Sequence, residues 1–305
     1  MLTTVAKGKL LKAMKIATRS SKLALKQVEI FRNQLKELGL NFEIKKQLTE
    51  GDKKSKQGEN LFDKAHFVED LETSLLNYEA DVAIHSLKDM SCHDTKGLEI
   101  YAAIEHPSRS DVLVYKDEIN PDDLTNIKIG TSSLRRKRQC KHFLNNKNCS
   151  EIRGNIDTRL LKLHEGQYDA IILAKAGIER LELNENYIDL NFLPAIGQGI
   201  IAVQCRSDDK ETKTLLDHIK NLELLKMIEI ERKIIRHLNA TCNSALSINS
   251  KINGDTIESD IEIYGEEEII SEKLISEFSA IDKSIKNLVT KIKERGGLRL
   301  LDENY

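Results

Sequence analysis

Ile129-Gly130-Thr131-Ser132-Ser133-Leu134-Arg135-Arg136 is the stretch on which the fold turns. Its apolar approach, Ile127 and Ile129, reads as a strand. Gly130 lets the chain turn where a side chain would obstruct it. Thr131, Ser132 and Ser133 are residue types that cap a helix start, and two arginines follow within the first turn. Unpaired N–H groups and the macrodipole make a helix N-terminus attractive to anions, so cations there usually cost stability. The pair makes sense if an anion sits there to be gripped. The other reading is a solvated basic helix start, since Lys137, Arg138 and Lys141 continue the charge.

Upstream, Lys15 to Arg19 reads as a short strand. Ser20 or Ser21 can cap a helix in which Leu25, Val28, Phe31, Leu35 and Leu38 recur at helical spacing, and Gly39 ends it. Phe42, Ile44, Lys46 and Leu48 alternate with other positions, a strand pattern. This βαβ beginning implies a parallel pair with a right-handed crossover. Thr49 to Lys56 is polar and aperiodic, a candidate mobile lid. A helix over 67–76 follows, then the apolar strand Asp81 to Ser86, which runs into Leu87-Lys88-Asp89. Ligands of open α/β sheets gather at the carboxyl ends of strands, so Ser86, Lys88 and Asp89 stand where chemistry is usually done. Alternatively, Asp89 only caps a turn. His85 and His93 flank Cys92 at no common metal spacing, and His85 reads as a packed strand histidine. Leu98 to Ile104 and Asp111 to Tyr115 are further strands.

Downstream, Ser150 to Gly154 reads as a strand entering Asn155, and Ile156, Leu160, Leu163 and His164 as the core face of a helix. Asp169 to Leu173 is a buried strand, and Ala174 to Leu181 a helix bearing Arg180. This segment repeats the β-loop-α plan of the first without a sequence repeat. Gly197 and Gly199 around Gln198 suggest a hinge before the strand Ile200 to Cys205. A long helix spans Leu222 to Leu238. Alternating runs (Ala245–Asn249, Ile257–Tyr264, Glu268–Leu274) and a helix from Ala280 to Arg295, apolar at Ile281, Ile285, Leu288, Val289 and Ile292, make a small α+β domain.

A chain of 305 residues is too long for one ordinary core, so two or three domains are expected. The net charge of −2 confines any anion site to a local concentration of Arg and Lys, and argues against a nucleic-acid surface. No apolar run is long enough to span a bilayer. Met1 to Met14 contains lysines but no acid, and reads either as a short targeting segment or as an extension before an alternative start at Met14. Five cysteines without a C-x-x-C pair disfavour a disulfide framework or a zinc site, and point to a reducing, cytoplasmic compartment. The glycines match neither common nucleotide-binding pattern.

Arg19, Arg135, Arg136, Arg153, Arg159 and Arg180 each fall at or near a strand-to-helix junction. Parallel sheets would bring these junctions to one edge. With Lys88 they would bind a ligand carrying several carboxylates or phosphates. Asp89 would be the one nearby acid able to stabilise a cation or move a proton. Cys242, in a small-residue loop after a helix, is either a thiol presented to the cleft or a buried, inert one.

The ordered segments Ala17-Thr18-Arg19-Ser20-Ser21 with Leu23-Ala24-Leu25, Asp81 to Asp89, Gly130 to Arg136, Arg153-Gly154-Asn155 with Thr158-Arg159-Leu160, Tyr168 to Ala174, Pro194 to Gly199, and Glu231-Arg232 leading to Cys242 are similar to those of the porphobilinogen deaminase (hydroxymethylbilane synthase) family. The resemblance runs from about Ile16 to Ile248. It implies a three-domain α/β transferase: two periplasmic-binding-protein-like lobes, 14–104 plus 200–220 and 105–199, and a C-terminal α+β domain, 221–305. It further implies that four porphobilinogen molecules are joined head to tail with loss of ammonia, in porphyrin and heme biosynthesis, by a monomer. The primer would be a dipyrromethane cofactor on a thioether to Cys242, and water would release the linear tetrapyrrole. By the same resemblance Lys88, Ser133, Arg135, Arg136 and Arg159 hold the cofactor, Arg19, Ser21, Arg153, Arg159 and Arg180 hold the incoming unit, and Asp89 is the catalytic carboxylate, facing the azafulvenium cation left by ammonia. No metal is expected. The rival reading is a non-catalytic two-lobed binder of a small polycarboxylate, or a relative unable to load its cofactor.

Departures from that family's pattern are local. Ala240-Thr241 replaces a Gly-Gly pair before the cysteine, and Ala245 a proline. Met90-Ser91 replaces an apolar-Pro pair. The lid between Gly51 and Phe67 lacks the usual Gly-rich, Lys-bearing run, with Lys64 matching one lysine and Asn60 lying near the other. If the lost glycines supplied positive φ, Ala240 and Thr241 would strain the loop or change its path.

Overall fold

The first sheet begins with β1 (Met14–Arg19), α1 (Lys22–Gln34) and β2 (Phe42–Gln47), the expected βαβ unit. This is a computed structural model, and it describes residues 13–47, 66–116, 119–120, 122–241 and 244–302. The lid, with Asn60 and Lys64, Cys242 and the segment before residue 13 lie outside the described residues.

Ser21 caps α1 by accepting a hydrogen bond from the Ala24 amide, and Val28 and Phe31 bury its apolar face. Gly39 closes the following 3-10 turn in the left-handed region. Then come α2 (His66–Leu76), β3 (Val82–Ser86) and β4 (Leu98–Glu105). The chain crosses to a second sheet with β5 (Asp111–Tyr115), β6 (Ile129–Gly130), α3 (Leu134–Phe143), β7 (Cys149–Ser150), α4 (Ile156–His164), β8 (Ala170–Ala174), α5 (Lys175–Arg180) and β9 (Tyr187–Leu190). It returns with β10 (Ile200–Arg206) and α6 (Lys210–Leu216). The last part holds α7 (Leu222–Leu238), β11 (Leu246–Asn253), β12 (Thr256–Tyr264), β13 (Ile269–Glu277), α8 (Ile281–Glu294) and α9 (Gly297–Asp302).

The two large sheets have one design. Their strand orders are β2-β1-β3-β10-β4 and β7-β6-β8-β5-β9. In each, the first three strands are parallel and the fourth runs antiparallel to both its neighbours. The fourth strand, β10 or β5, directly follows a crossing from the other sheet. A structural repeat is therefore present where no sequence repeat is visible. The central strands β3, β8 and β10 are buried apolar runs, as strands covered on both faces should be. The third sheet is an antiparallel meander, β11-β12-β13, whose alternating burial leaves one face for α7 and α8. Ile285, Leu288, Val289 and Ile292 of α8 are buried in its core. The result is a three-domain α/β architecture with two large sheets of like topology and a smaller antiparallel one.

Local differences from the sequence reading have physical causes. The strand expected over 150–154 is only the pair Cys149–Ser150. Beyond it the Glu151 and Ile152 carbonyls accept side-chain hydrogen bonds from Tyr168 and Ser132 instead of ladder bonds, and Gly154 turns the chain at φ +110°. His164 lies on the solvent side of α4, against Glu185, while Leu160 and Leu163 are buried. β9, α6 and α9 have patterns too short to read. The glycines at 197 and 199 have positive φ, as a hinge reading allows, but they also meet close neighbours: a Cβ on Gly197 would lie 2.6 Å from Leu87 Cγ. The second crossing is thus packed against the turn that carries Lys88 and Asp89.

Candidate active site

Ser133 caps α3, accepting from the Arg136 amide, so Arg135 and Arg136 stand in the first turn as read from the sequence. The 3-10 turn Leu87–Asp89 directly follows β3, with Leu87 buried beneath it. Both features open on a cavity of about 320 Å³ between the two large sheets. Arg19, Ser21, Lys88, Asp89, Ser133, Arg135, Arg136, Arg159 and Arg180 all line it. Arg153 is not in that wall; its guanidinium is 2.7 Å from Glu151 on the neighbouring loop.

The acid expected to be alone in the cleft has company. Asp111, the first residue of β5, is completely buried below the arginine pair. Arg135 Nη2 is 2.9 Å from its Oδ2, and Arg136 Nη2 is 2.6 Å from its Oδ1. Burial opposes ionisation of Asp111, but the two guanidiniums, with hydrogen bonds from Arg136 and Gln198, override it and hold the carboxyl well below its usual range. Two cations against one anion leave the cluster net positive, so Asp111 orients the pair without neutralising it. Arg136 also donates to the Ile172 carbonyl, and Arg135 to Gln139 and the Leu193 carbonyl. Burial pulls the Arg135 guanidinium below its usual value even with Asp111 beside it.

Arg159 and Arg180 differ. Among the described residues neither is ion-paired; they donate to the carbonyls of Gly154 and Gly199. Burial lowers Arg180 to about 10. Burial and the nearby Arg136 charge lower Arg159 to about 10, against the attraction of Asp89. These are half-buried charges short of a counter-ion, a condition that favours a carboxylate ligand. His85 is neutral. Burial lowers it to about 4 despite its hydrogen bond to Gln204 and the Asp89 charge. Gln204 donates onward to Glu72, so its oxygen faces His85 Nε2, which carries the proton. Among the described residues no group of His, Cys, Asp or Glu is placed to hold a metal ion, and no helix is long and apolar enough to cross a membrane.

The departures at Met90 and at Ala240-Thr241 are accommodated. Asn239, the C-cap of α7, takes the left-handed conformation at φ 52°, and neither Ala240 nor Thr241 has positive φ. The strain expected of them is absent. Met90 is extended, φ −82° and ψ 151°, a conformation that a following proline would also accept. Residues to which the sequence reading gave no part in the site include Asp111, Gln198 and the pair Arg109–Glu231, whose two bonds are each 2.9 Å. An acid at the head of an apolar strand carries no local signal of the arginines it will meet.

Two like α/β lobes around a cation-walled cleft, with one carboxylate at a strand end, define a two-lobed protein built to bind small polyanions. Residues 14–214 match the family model described as porphobilinogen deaminase, dipyromethane cofactor binding domain. The porphobilinogen deaminase of Blochmanniella pennsylvanica is 38% identical over 255 residues, 81% of this chain and 85% of the relative. That of Coxiella burnetii is 41% identical over 251 residues, 79% of this chain and 81% of the relative. A probable porphobilinogen deaminase of Methanocaldococcus jannaschii is 39% identical, covering 75% and 80%. Among solved structures, the second substrate binding domain of a putative amino acid ABC transporter from Streptococcus pneumoniae aligns with TM-score 0.43 and 13% identity, over 72% of this chain and 96% of that one. The likeness is too distant to bear on function. The chain belongs to the porphobilinogen deaminase, or hydroxymethylbilane synthase, family. It is a transferase of porphyrin and heme biosynthesis, with the family's reaction class, the condensation of porphobilinogen to a linear tetrapyrrole, and membership implies a dipyrromethane cofactor.

Proposed function

We propose that four porphobilinogen units are added one at a time to a dipyrromethane held by a thioether to Cys242, that each addition releases ammonia beside Asp89, and that water frees the product. The observation that carries this reading is the pair Arg159 and Arg180, half-buried in the wall of the cleft, lowered to about 10 and without an acidic partner among the described residues. Each pyrrole unit brings an acetate and a propionate, and such sites suit those groups.

The donor set fits the cofactor: Lys88 and Ser133 line the same cavity as the net-positive Arg135–Arg136–Asp111 cluster. When bound, the cofactor supplies the pyrrole carbon to which the first unit is joined. Lys88, Ser133, Arg135, Arg136 and Arg159 hold carboxylates on that side of the cleft. Arg19, Ser21, Arg159 and Arg180 hold those of the incoming unit, and Arg153 joins them on giving up Glu151. Asp89 accepts hydrogen bonds from pyrrole N–H groups and stabilises the positive charge that develops as ammonia departs. A carboxylate already fixed in the cleft does this without reorganisation. Division of the chain into 14–104 plus 200–220, 105–199 and 221–305, a monomeric state and a cytoplasmic location belong to the same proposal.

Intact mass tests the reading. Protein made in a host that synthesises porphyrins is expected to be heavier than its sequence by one dipyrromethane, with the addition on the Cys242 peptide. An unmodified mass favours the non-catalytic binder.

A further inference from the structure

The cleft arginine Arg135 is tied to the C-terminal sheet by a chain of buried hydrogen bonds that the reaction does not itself require. Arg135 Nη1 donates to Gln139 Oε1 at 2.7 Å, one helical turn along α3. Gln139 is fully buried, and its Nε2 donates to Tyr264 Oη at 2.7 Å, across to the end of β12. Tyr264 is also fully buried, and its own proton has two acceptors, Glu262 and Ser247. The Leu193 carbonyl, in the second crossing between lobes, joins the same node. It accepts from Arg135 at 3.0 Å, Gln139 at 2.9 Å and Ser247 at 2.8 Å.

An outer ring holds the same elements together. Arg138 and Lys141 pair with Glu266, Lys141 with Glu267, and His142 meets the Gly265 carbonyl, all at the β12–β13 turn. Phe143 packs edge-on against the Tyr264 ring. Thus one end of α3 faces the cleft and the other is clamped to the C-terminal sheet. Gln139 presents its oxygen to Arg135 because its nitrogen is spent on Tyr264 and Leu193, so loss of the tyrosine hydroxyl leaves the Leu193 carbonyl as the one acceptor holding the amide in that sense. A mis-turned amide would set an N–H against a guanidinium.

We propose that Gln139 and Tyr264 are positioning residues for Arg135, through which the C-terminal sheet sets the aim of this arginine in the cleft. The proposal rests on the reading that Arg135 holds ligand carboxylates. The test is a double-mutant cycle on cofactor-loaded, full-length enzyme, with loading checked by intact mass. Tyr264→Phe removes only the hydroxyl and keeps the ring against Phe143. It is expected to lower kcat/KM for porphobilinogen about fivefold in the parent and less than about twofold in an Arg135→Gln background. Gln139→Met, which leaves Tyr264 in place, is expected to show the same dependence on background. Equal losses in both backgrounds mean a merely structural role and overturn the proposal, as does a Tyr264→Phe enzyme with parental kcat/KM. An Arg135→Gln enzyme with parental kcat/KM overturns the reading of Arg135 itself, and the two failures are thereby told apart.

Discussion

Arg136 grips Asp111 through two nitrogens, Nε at 3.1 Å and Nη2 at 2.6 Å, where the carboxylate has no access to water. The bond joins the start of α3 to the first residue of β5, the strand on which the chain enters the second sheet. Asp111→Asn leaves two buried guanidiniums facing each other with no anion between them. Removing one partner of a buried ion pair costs about 3–5 kcal/mol, so urea unfolding should show a loss of that order. The folded pKa of Asp111 is lowered, so its contribution is present above the unfolded carboxylate value of about 3.9 and is lost as pH falls below it. The variant's stability should therefore fall less steeply below about pH 4.

His85 marks a different pH window. Its folded value of about 4 lies below its ordinary 6.5, so between these values the unfolded chain binds the proton and the folded one does not. Its contribution is complete above pH 6.5 and is lost as pH falls toward 4. A shift of this size corresponds to about 3 kcal/mol. His85→Gln is expected to flatten the stability profile over that range, measured by denaturant unfolding. A profile as steep as the parent's would mean that His85 is charged in the fold.

Asp89→Asn is expected to retain the dipyrromethane, seen by intact mass, and to lose about 100-fold or more in kcat, because the amide keeps the shape but not the charge. Full activity would remove Asp89 from the chemistry.

Arg180→Gln removes a cation whose hydrogen bond among the described residues is to the Gly199 carbonyl. The expected result is a KM for porphobilinogen raised about tenfold or more, with folding stability little changed, since a half-buried charge without an acidic partner among the described residues is lost. Steady-state kinetics and a thermal melt read the two effects separately.

The loop before Cys242 gives a backbone test. Because the left-handed residue is Asn239 and not Ala240, Ala240→Gly is expected to bring no stabilisation, while Asn239→Val should cost about 1–2 kcal/mol. A stabilising Ala240→Gly would mean that the loop is strained there.

Much of this was legible in the chain because it is local. The Ser133 cap and the arginines behind it, the run of Val82 to Ser86 into Lys88 and Asp89, and the span of Leu222 to Leu238 follow from spacing, capping and burial pattern within a few residues. The strand expected over 150–154 stops at Ser150 because side chains, Ser132 and Tyr168, compete for carbonyls that a ladder would otherwise use.

By itself, the sequence determined the βαβ alternation, the accumulation of arginines at strand-to-helix junctions and the family. Those are properties of periodicity, residue type and ordered motifs. Only the tertiary structure decided which arginines keep free charge for a ligand. Asp111 sits 24 and 25 residues before the arginines it orients, and Tyr264 lies 125 residues from Gln139. Arg159 and Arg180 resemble Arg135 and Arg136 as letters. They differ because folding buries a carboxylate beside one pair and only backbone carbonyls beside the other.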